Sequence, residues 1–401
     1  MFEIATSRRQ LLRKWAGLVL PLTISQAVGQ HIPSSESEIP SGFLPMRLFK
    51  EFKFAQLLDT SPDGGKLCLY FTRNPTRSFV WQGGWEERTT PVRDGEDALR
   101  VIDRDTWKLT YATRLPALPF WTSFFPDNKT LYVGIPAVAS GGTEHLVIDL
   151  RNGIIQKRLD PLNQNGLNFS YIALGDGLLL GCGRSFKANR TEILTKVELP
   201  SYNEIRRVPF AEGRSASTGM TETSVRTSVN RNKLVYTVDN AVVCRSTEHL
   251  ATLWTRKTEA DLVLWQTAIS ADGGLVAASN SNNVTGQGRT CHVWIYSGVD
   301  GATVAQIPVD GTEGMAISPD KTLLAVGQSI ALHGRKSGTQ PTVLLFEIAS
   351  GKKLATLIQD QFYGGGGEFL HARFGFNGIQ FSLDGKCLIT SGLHTKLWEI
   401  A

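Results

Sequence analysis

Seven times along the chain a short apolar run enters a polar turn and leaves on a second apolar run. Five copies are well formed: Ser61-Pro62-Asp63-Gly64, Phe125-Pro126-Asp127-Asn128, Ser270-Ala271-Asp272-Gly273, Ser318-Pro319-Asp320-Lys321 and Ser382-Leu383-Asp384-Gly385. Two weaker versions, Gly175-Asp176-Gly177 and Asn230-Arg231-Asn232, fill the gaps. A spacing of roughly 40 to 65 residues, with strand signals in every unit, predicts a repeat architecture. One such unit cannot bury both of its apolar faces alone, so it must stack on its neighbours.

Each unit reads as four strands. The first runs into the polar turn, as in Gly378-Ile379-Gln380-Phe381-Ser382. The second leaves it on a nearly continuous apolar run: Leu67–Thr72, Thr130–Ile135, Leu178–Cys182, Lys233–Val238, Leu275–Ser279, Leu323–Gly327 and Cys387–Ser391. Such runs suit strands covered on both faces. The third ends in pairs such as Ile102-Asp103, Ile148-Asp149, Phe346-Glu347 and Trp398-Glu399. Hairpin residues follow, in Arg151-Asn152-Gly153 and Ser350-Gly351-Lys352. The fourth strand (Ile154–Leu159, Glu204–Pro209, Thr303–Pro308, Lys353–Ile358) is more polar, as a wetted outer edge should be.

These residues resemble the WD-repeat and YVTN β-propellers over roughly residues 43–401. Phe381-Ser382-Leu383-Asp384-Gly385, Ser391-Gly392 and Leu397-Trp398-Glu399-Ile400 carry the WD likeness, and Thr130-Leu131-Tyr132-Val133-Gly134 is similar to the YVTN strand. The Gly-His pair that opens many WD repeats is missing before most units. The resemblance implies an all-β, seven-bladed β-propeller of four-stranded antiparallel blades. The last unit stops at Ile400-Ala401 after its third strand, while an extra strand-like segment, Met46–Phe52, precedes the first. Pairing of these N- and C-terminal strands would close the ring and remove an open edge.

The expected organisation is an export signal over 1–29, a flexible linker over 30–42 and one propeller domain over 43–401. Ser7-Arg8-Arg9-Gln10-Leu11-Leu12 before the apolar stretch Trp15–Val28 resembles a twin-arginine export signal, with Ala27-Val28-Gly29 as small residues for cleavage. An ordinary secretion signal or a retained anchor are the alternatives. Pro21, Thr23, Ser25 and Gln26 make the stretch a poor membrane span. The expected location is therefore periplasmic or extracellular, a cytoplasmic scaffold being the alternative. Residues 1–29 carry four cations and one anion, so without them the net charge falls from +5 to +2 (5 − 4 + 1). That balance argues against a nucleic-acid partner. Five cysteines cannot all pair, and Cys68 and Cys387, at matching points of equivalent strands, read as small buried hydrophobes. A disulfide in an exported chain stays open. No Cys or His spacing suggests zinc, so neither metal nor cofactor is expected.

In this architecture the long connections, between second and third strands and between units, share one face. Long loops in a compact domain commonly carry function. Candidate binding residues there are Trp81, Trp85 and Arg88 in 73–97, Arg184 and Arg190 in 184–192, His333 and Arg335 in 329–341, and Tyr363, His371 and Arg373 in 359–375. Trp and Arg are favoured anchors; the same tryptophans could instead fold back as a lid. The run Gly364–Gly367 lacks the strand-to-helix setting of a phosphate loop. The seven histidines are scattered, with no nucleophile elbow and no paired-carboxylate signature. The expected function is non-catalytic binding of a protein or peptide partner on the long-loop face. The alternative is an exported propeller enzyme, lactonase-like or quinoprotein-dehydrogenase-like.

Overall fold

The computed structural model describes residues 44–71, 98–115, 119, 121–136, 143–159, 167–185, 192–199, 201, 203–209, 225–238, 240–258, 264–280, 291–312, 314–328, 342–359, 378–392 and 394–400. The chain divides into two compact units, Met1–Pro40 and Ser41–Ala401, and the first lies wholly outside the described residues, as do residues 1–29 and 30–42, expected as an export signal and a linker.

Seven four-stranded antiparallel sheets form the second unit. Strand β1 (Met46–Phe52) comes first in the chain but belongs to the last sheet. Blade one holds β2 (Ala55–Thr60), β3 (Lys66–Phe71), β4 (Ala98–Asp103) and β5 (Leu109–Thr113). Blade two holds β6 (Trp121–Phe124), β7 (Thr130–Pro136), β8 (Thr143–Asp149) and β9 (Ile155–Leu159). Blade three holds β10 (Leu167–Gly175), β11 (Leu178–Ser185), β12 (Glu192–Glu198) and β13 (Asn203–Pro209). Blade four holds β14 (Arg226–Thr227), β15 (Lys233–Val238), β16 (Ala241–Ser246) and β17 (Thr252–Lys257). Blade five holds β18 (Leu264–Ile269), β19 (Leu275–Asn280), β20 (Cys291–Ser297) and β21 (Thr303–Val309). Blade six holds β22 (Gly314–Ile317), β23 (Leu323–Gln328), β24 (Thr342–Glu347) and β25 (Lys353–Ile358). Blade seven holds β26 (Ile379–Phe381), β27 (Cys387–Ser391) and β28 (Thr395–Ile400), with β1 as its fourth strand. The fold is a seven-bladed β-propeller.

The expected closure is present. β1 runs antiparallel to β28, from Met46 opposite Ile400 to Phe52 opposite Thr395. Arg47 adds a surface ion pair to Glu399 at 2.5 Å. Seven apolar clusters among the described residues follow the ring, one between each pair of neighbouring blades. Leu57, Leu67 and Leu69 meet Cys387, Ile389 and Leu397 where blade one meets blade seven. At the opposite side Val235, Val242 and Trp254 meet Leu264, Val276 and Tyr296. The second strands are buried without alternation (Leu234 to Thr237, Leu324 to Gly327), as sheets covered on both faces require. The fourth strands are mostly exposed, as β13 and β17 show. All five cysteines are free, and the four that are buried, Cys68 and Cys387 among them, behave as small hydrophobes. Among the described residues no helix is long and apolar enough to cross a membrane.

The repeated turn has a hydrogen-bond basis. Ser270, Ser318 and Ser382 each donate a hydroxyl to the Asp two residues on, at 2.7, 2.5 and 2.5 Å. The same hydroxyls accept the N–H that starts the next strand, from Leu275, Leu323 and Cys387, at 2.9 Å each. Blade one repeats the pattern with Ser61, Asp63 and Lys66. The Asp carboxylates are held low; at Asp272 burial opposes, but Lys321, Ser270 and the Gly274 N–H outweigh it and bring the group to about 2.

Two turns of blade five press together at Gly298, whose N–H donates to Gly274 O at 2.8 Å. A Cβ at Gly298 would lie 2.0 Å from the Gly273 carbonyl oxygen, so backbone must move. Gly298 O also accepts from Lys233 Nζ (2.9 Å) and Trp254 Nε1 (3.2 Å) of blade four. Gly298→Ala is expected to cost about 2 kcal/mol, read by denaturant unfolding. A change within a few tenths would mean that the two turns do not bear on one another.

Candidate functional site

The first strand of each blade faces the centre, and together they wall a channel. Its described cavity has a volume of about 270 Å³ and lies at the end where the short turns sit. Pro62, Gly64, Arg104, Pro319 and Leu383 rim it. Asp59, Thr122, Ser123, Tyr171, Arg226, Arg231 and Gln380 line it farther in.

The turn chemistry explains how one of these groups gets there. In five blades the fourth turn residue has positive φ: Gly64 (71°), Asn128 (55°), Gly273 (71°), Lys321 (65°) and Gly385 (71°). In blade four the same place is held by Arg231, at φ 56°. A left-handed conformation costs a non-glycine L-residue roughly 1–2 kcal/mol. Here it aims a long cationic side chain back over the channel. Arg231 Nη1 donates to Thr227 Oγ1 at 2.5 Å, and Nη2 reaches to 3.5 Å from Phe124 O in blade two. Arg231 therefore spans the channel from blade four to blade two.

On that far wall, Asp59 Oδ2 accepts the Phe124 N–H at 2.9 Å. Burial pushes the Asp59 carboxyl up to about 6, against the pull of the Arg231 charge, the N–H groups of Phe124 and Thr60, and Arg226. Burial also lowers Arg226, to about 10, and lowers Arg231, with Asp59 opposing in each case. Both still carry a full charge near neutral pH. Thr60 Oγ1 donates to Gln380 Oε1 at 2.5 Å and so ties blade one to blade seven. Ser123 Oγ accepts the Ala173 N–H at 3.0 Å and ties blade two to blade three. Asp59 thus sits on a wall that is hydrogen-bonded to the blades on both sides.

On the channel wall, Nε of Arg231 and Oγ1 of Thr122, a residue only 6% exposed, are buried without a hydrogen-bond partner among the described residues. A buried polar group without a partner costs roughly 1–3 kcal/mol. The left-handed backbone is the geometry this turn takes in other blades as well, at Asn128 and Lys321 among them; the two unmet hydrogen bonds belong to residues that border one cavity.

Trp81, Trp85, Arg88, Arg190, His333, Arg335, Tyr363, His371 and Arg373 lie outside the described residues. Arg184 was expected in a loop; it belongs to β11, which runs on to Ser185, opposite Asn168 on one side and Glu192 on the other. The strand ends that bound 72–97, 210–224, 329–341 and 360–377 all lie at the end of the channel away from the described cavity. The channel residues went unmarked in the sequence, and aligning the turns does not single out Arg231, because Lys321 is a large cation at the same turn position.

No family model matches the chain, and no curated protein sequence matches it. Its structure matches 1216 solved chains. One is described as hydrazine synthase of Kuenenia stuttgartiensis, with a TM-score of 0.53 and 13% identity, over 93% of this chain and 99% of that one. A likeness at that identity shows the fold alone.

Proposed function

We propose that the chain is an exported, non-catalytic binding propeller that receives a protein or peptide partner. The observation that carries this reading is the polar well in the channel, where Asp59, Arg226 and Arg231 converge on rigid inner strands beside unpartnered donors. A preformed concave site with a few fixed polar groups is what ligand recognition needs, since little ordering entropy is then lost on binding. The lopsided distribution of long connections supports a second contact area at the other end, with Trp81 and Trp85 as its anchors. Export rests on the resemblance of Ser7–Leu12 to a twin-arginine signal.

Affinity capture from an envelope fraction tests the reading, with wild type beside Arg226→Gln/Arg231→Gln and Trp81→Ala/Trp85→Ala. A specific partner recovered by wild type and lost from either double variant is the expected result. Recovery equal in all three would remove both surfaces from the argument. The second reading, a propeller enzyme, draws on Asp59, because a carboxyl near 6 between two cations is suited to accepting a proton.

A further inference from the structure

We propose that the channel end between Thr122, Arg226 and Arg231 is a binding site for a carboxylate group, held by the Nε–H of the Arg231 guanidinium and the Thr122 hydroxyl. This rests on the reading that the channel binds a ligand, and names the chemistry it recognises. Three observations meet at that place. Arg231 takes the left-handed turn position also held by Lys321 and Asn128, and from there its side chain reaches Phe124 O of blade two. Its Nε–H has no acceptor and Thr122 Oγ1 has no partner among the described residues. Both residues border one cavity of about 270 Å³, room for a small acid or for the last residue of a peptide.

Charge selects the class of ligand. Two guanidinium groups and the ionised Asp59 leave one positive charge in excess, which a monoanion neutralises. The dianionic form of phosphate would leave one negative charge in excess. A carboxylate can accept from the Arg231 Nε–H with one oxygen and from the Thr122 hydroxyl with the other, and charge-assisted hydrogen bonds of this type are the stronger ones. The carboxylate could come from a free small acid or from a peptide terminus, and the two are separable by experiment.

Isothermal titration near neutral pH uses four probes: propionate, the tripeptide Ala-Ala-Ala, the same tripeptide as its C-terminal amide, and inorganic phosphate. Propionate and the free tripeptide are expected to bind, and the amide and phosphate to bind at least about tenfold more weakly. A tripeptide much tighter than propionate would identify a peptide terminus as the source; equal affinities would identify a small acid. Arg231→Gln should weaken the carboxylate probes roughly tenfold to a hundredfold. Thr122→Val should weaken them less, and Arg207→Gln, on the exposed outer strand of blade three, should leave them unchanged. Circular dichroism and thermal unfolding show which variants keep the fold, so Thr122→Val decides the matter if Arg231→Gln does not fold. Equal binding of amide and acid, preference for phosphate, or unaltered affinity in both channel variants would overturn the proposal. A protein that captures a partner yet binds no carboxylate would defeat this inference alone. One that binds carboxylate without capturing a partner would defeat only the partner reading.

Discussion

A chain that begins at Phe54 is expected to fail to fold as a monomer, whereas one that begins at Ser41 should fold normally. The first start removes β1 and leaves blade seven with three strands and β28 with a bare edge. Six paired positions are lost, at a net value of roughly 0.5–1.5 kcal/mol per hydrogen bond. Met46 leaves the cluster between blades six and seven, and Phe52 leaves the one between seven and one. Each buried apolar side chain of that size contributes roughly 1.5–3 kcal/mol when fully covered, and somewhat less here because both are only partly buried. Phe52 and Phe49 also stack near Trp107 of blade one, with ring centroids 6.0 and 5.9 Å away. The sum is about the whole stability of an ordinary domain, roughly 5–15 kcal/mol. Size-exclusion chromatography with chemical denaturation should show soluble monomer for the Ser41 start and aggregate or unfolded chain for the Phe54 start. A peptide of residues 44–54 added in trans should partly rescue the latter, since an edge strand can be supplied by another chain. A cooperative, monomeric Phe54 protein with near-normal stability would show that blade packing alone holds the ring.

The second large effect is hidden in the wild type. His145 is 3% exposed, pairs through Nδ1 with the Tyr132 hydroxyl, and meets the Tyr171 ring edge-on at 5.4 Å. Burial lowers it from 6.5 to about 4. The folded protein therefore favours the neutral ring, and the stability this lends is present above 6.5 and lost as pH falls towards 4. The shift corresponds to about 3 kcal/mol. Asp59 acts in the opposite sense. Its carboxyl moves from 3.8 to about 6, so the folded state favours the protonated form. That contribution is complete below 3.8 and is lost as pH rises through 6. It is worth up to about 3 kcal/mol, reduced because Asp59 is only partly buried and faces the channel. Wild-type stability should hence vary little between pH 6.5 and 4. Asp59→Asn should unmask a fall on acidification, and His145→Gln a rise. Urea unfolding across that interval reads both slopes. Parallel profiles for the three proteins would mean that neither group is as dry as the fold places it.

Much of the ring was legible before any coordinates. Polar turns at regular spacing, continuous apolar second strands and mixed fourth strands mark a four-stranded unit, and Lys233–Val238, Lys353–Ile358 and Cys387–Ser391 coincide with strands residue for residue. The incomplete last unit and the surplus Met46–Phe52 pointed to the closure that β1 and β28 make. These are local or end-to-end patterns, and periodicity carries them. Arg184 shows the limit, because its strand continues to Ser185, three residues beyond its last apolar residue, Cys182.

The channel site is of another kind. Asp59, Thr122, Arg226 and Arg231 come from three blades and are up to 172 residues apart (231 − 59), with no shared spacing for a pattern to reveal. What the residues by themselves determined is the repeat: apolar faces on both sides of each sheet, with turns whose Ser and Asp satisfy their own backbone. What the tertiary structure alone decided is which polar side chains meet. Circular closure makes neighbours of first strands that are distant in sequence, and only there does a left-handed Arg231 find itself across a channel from Asp59.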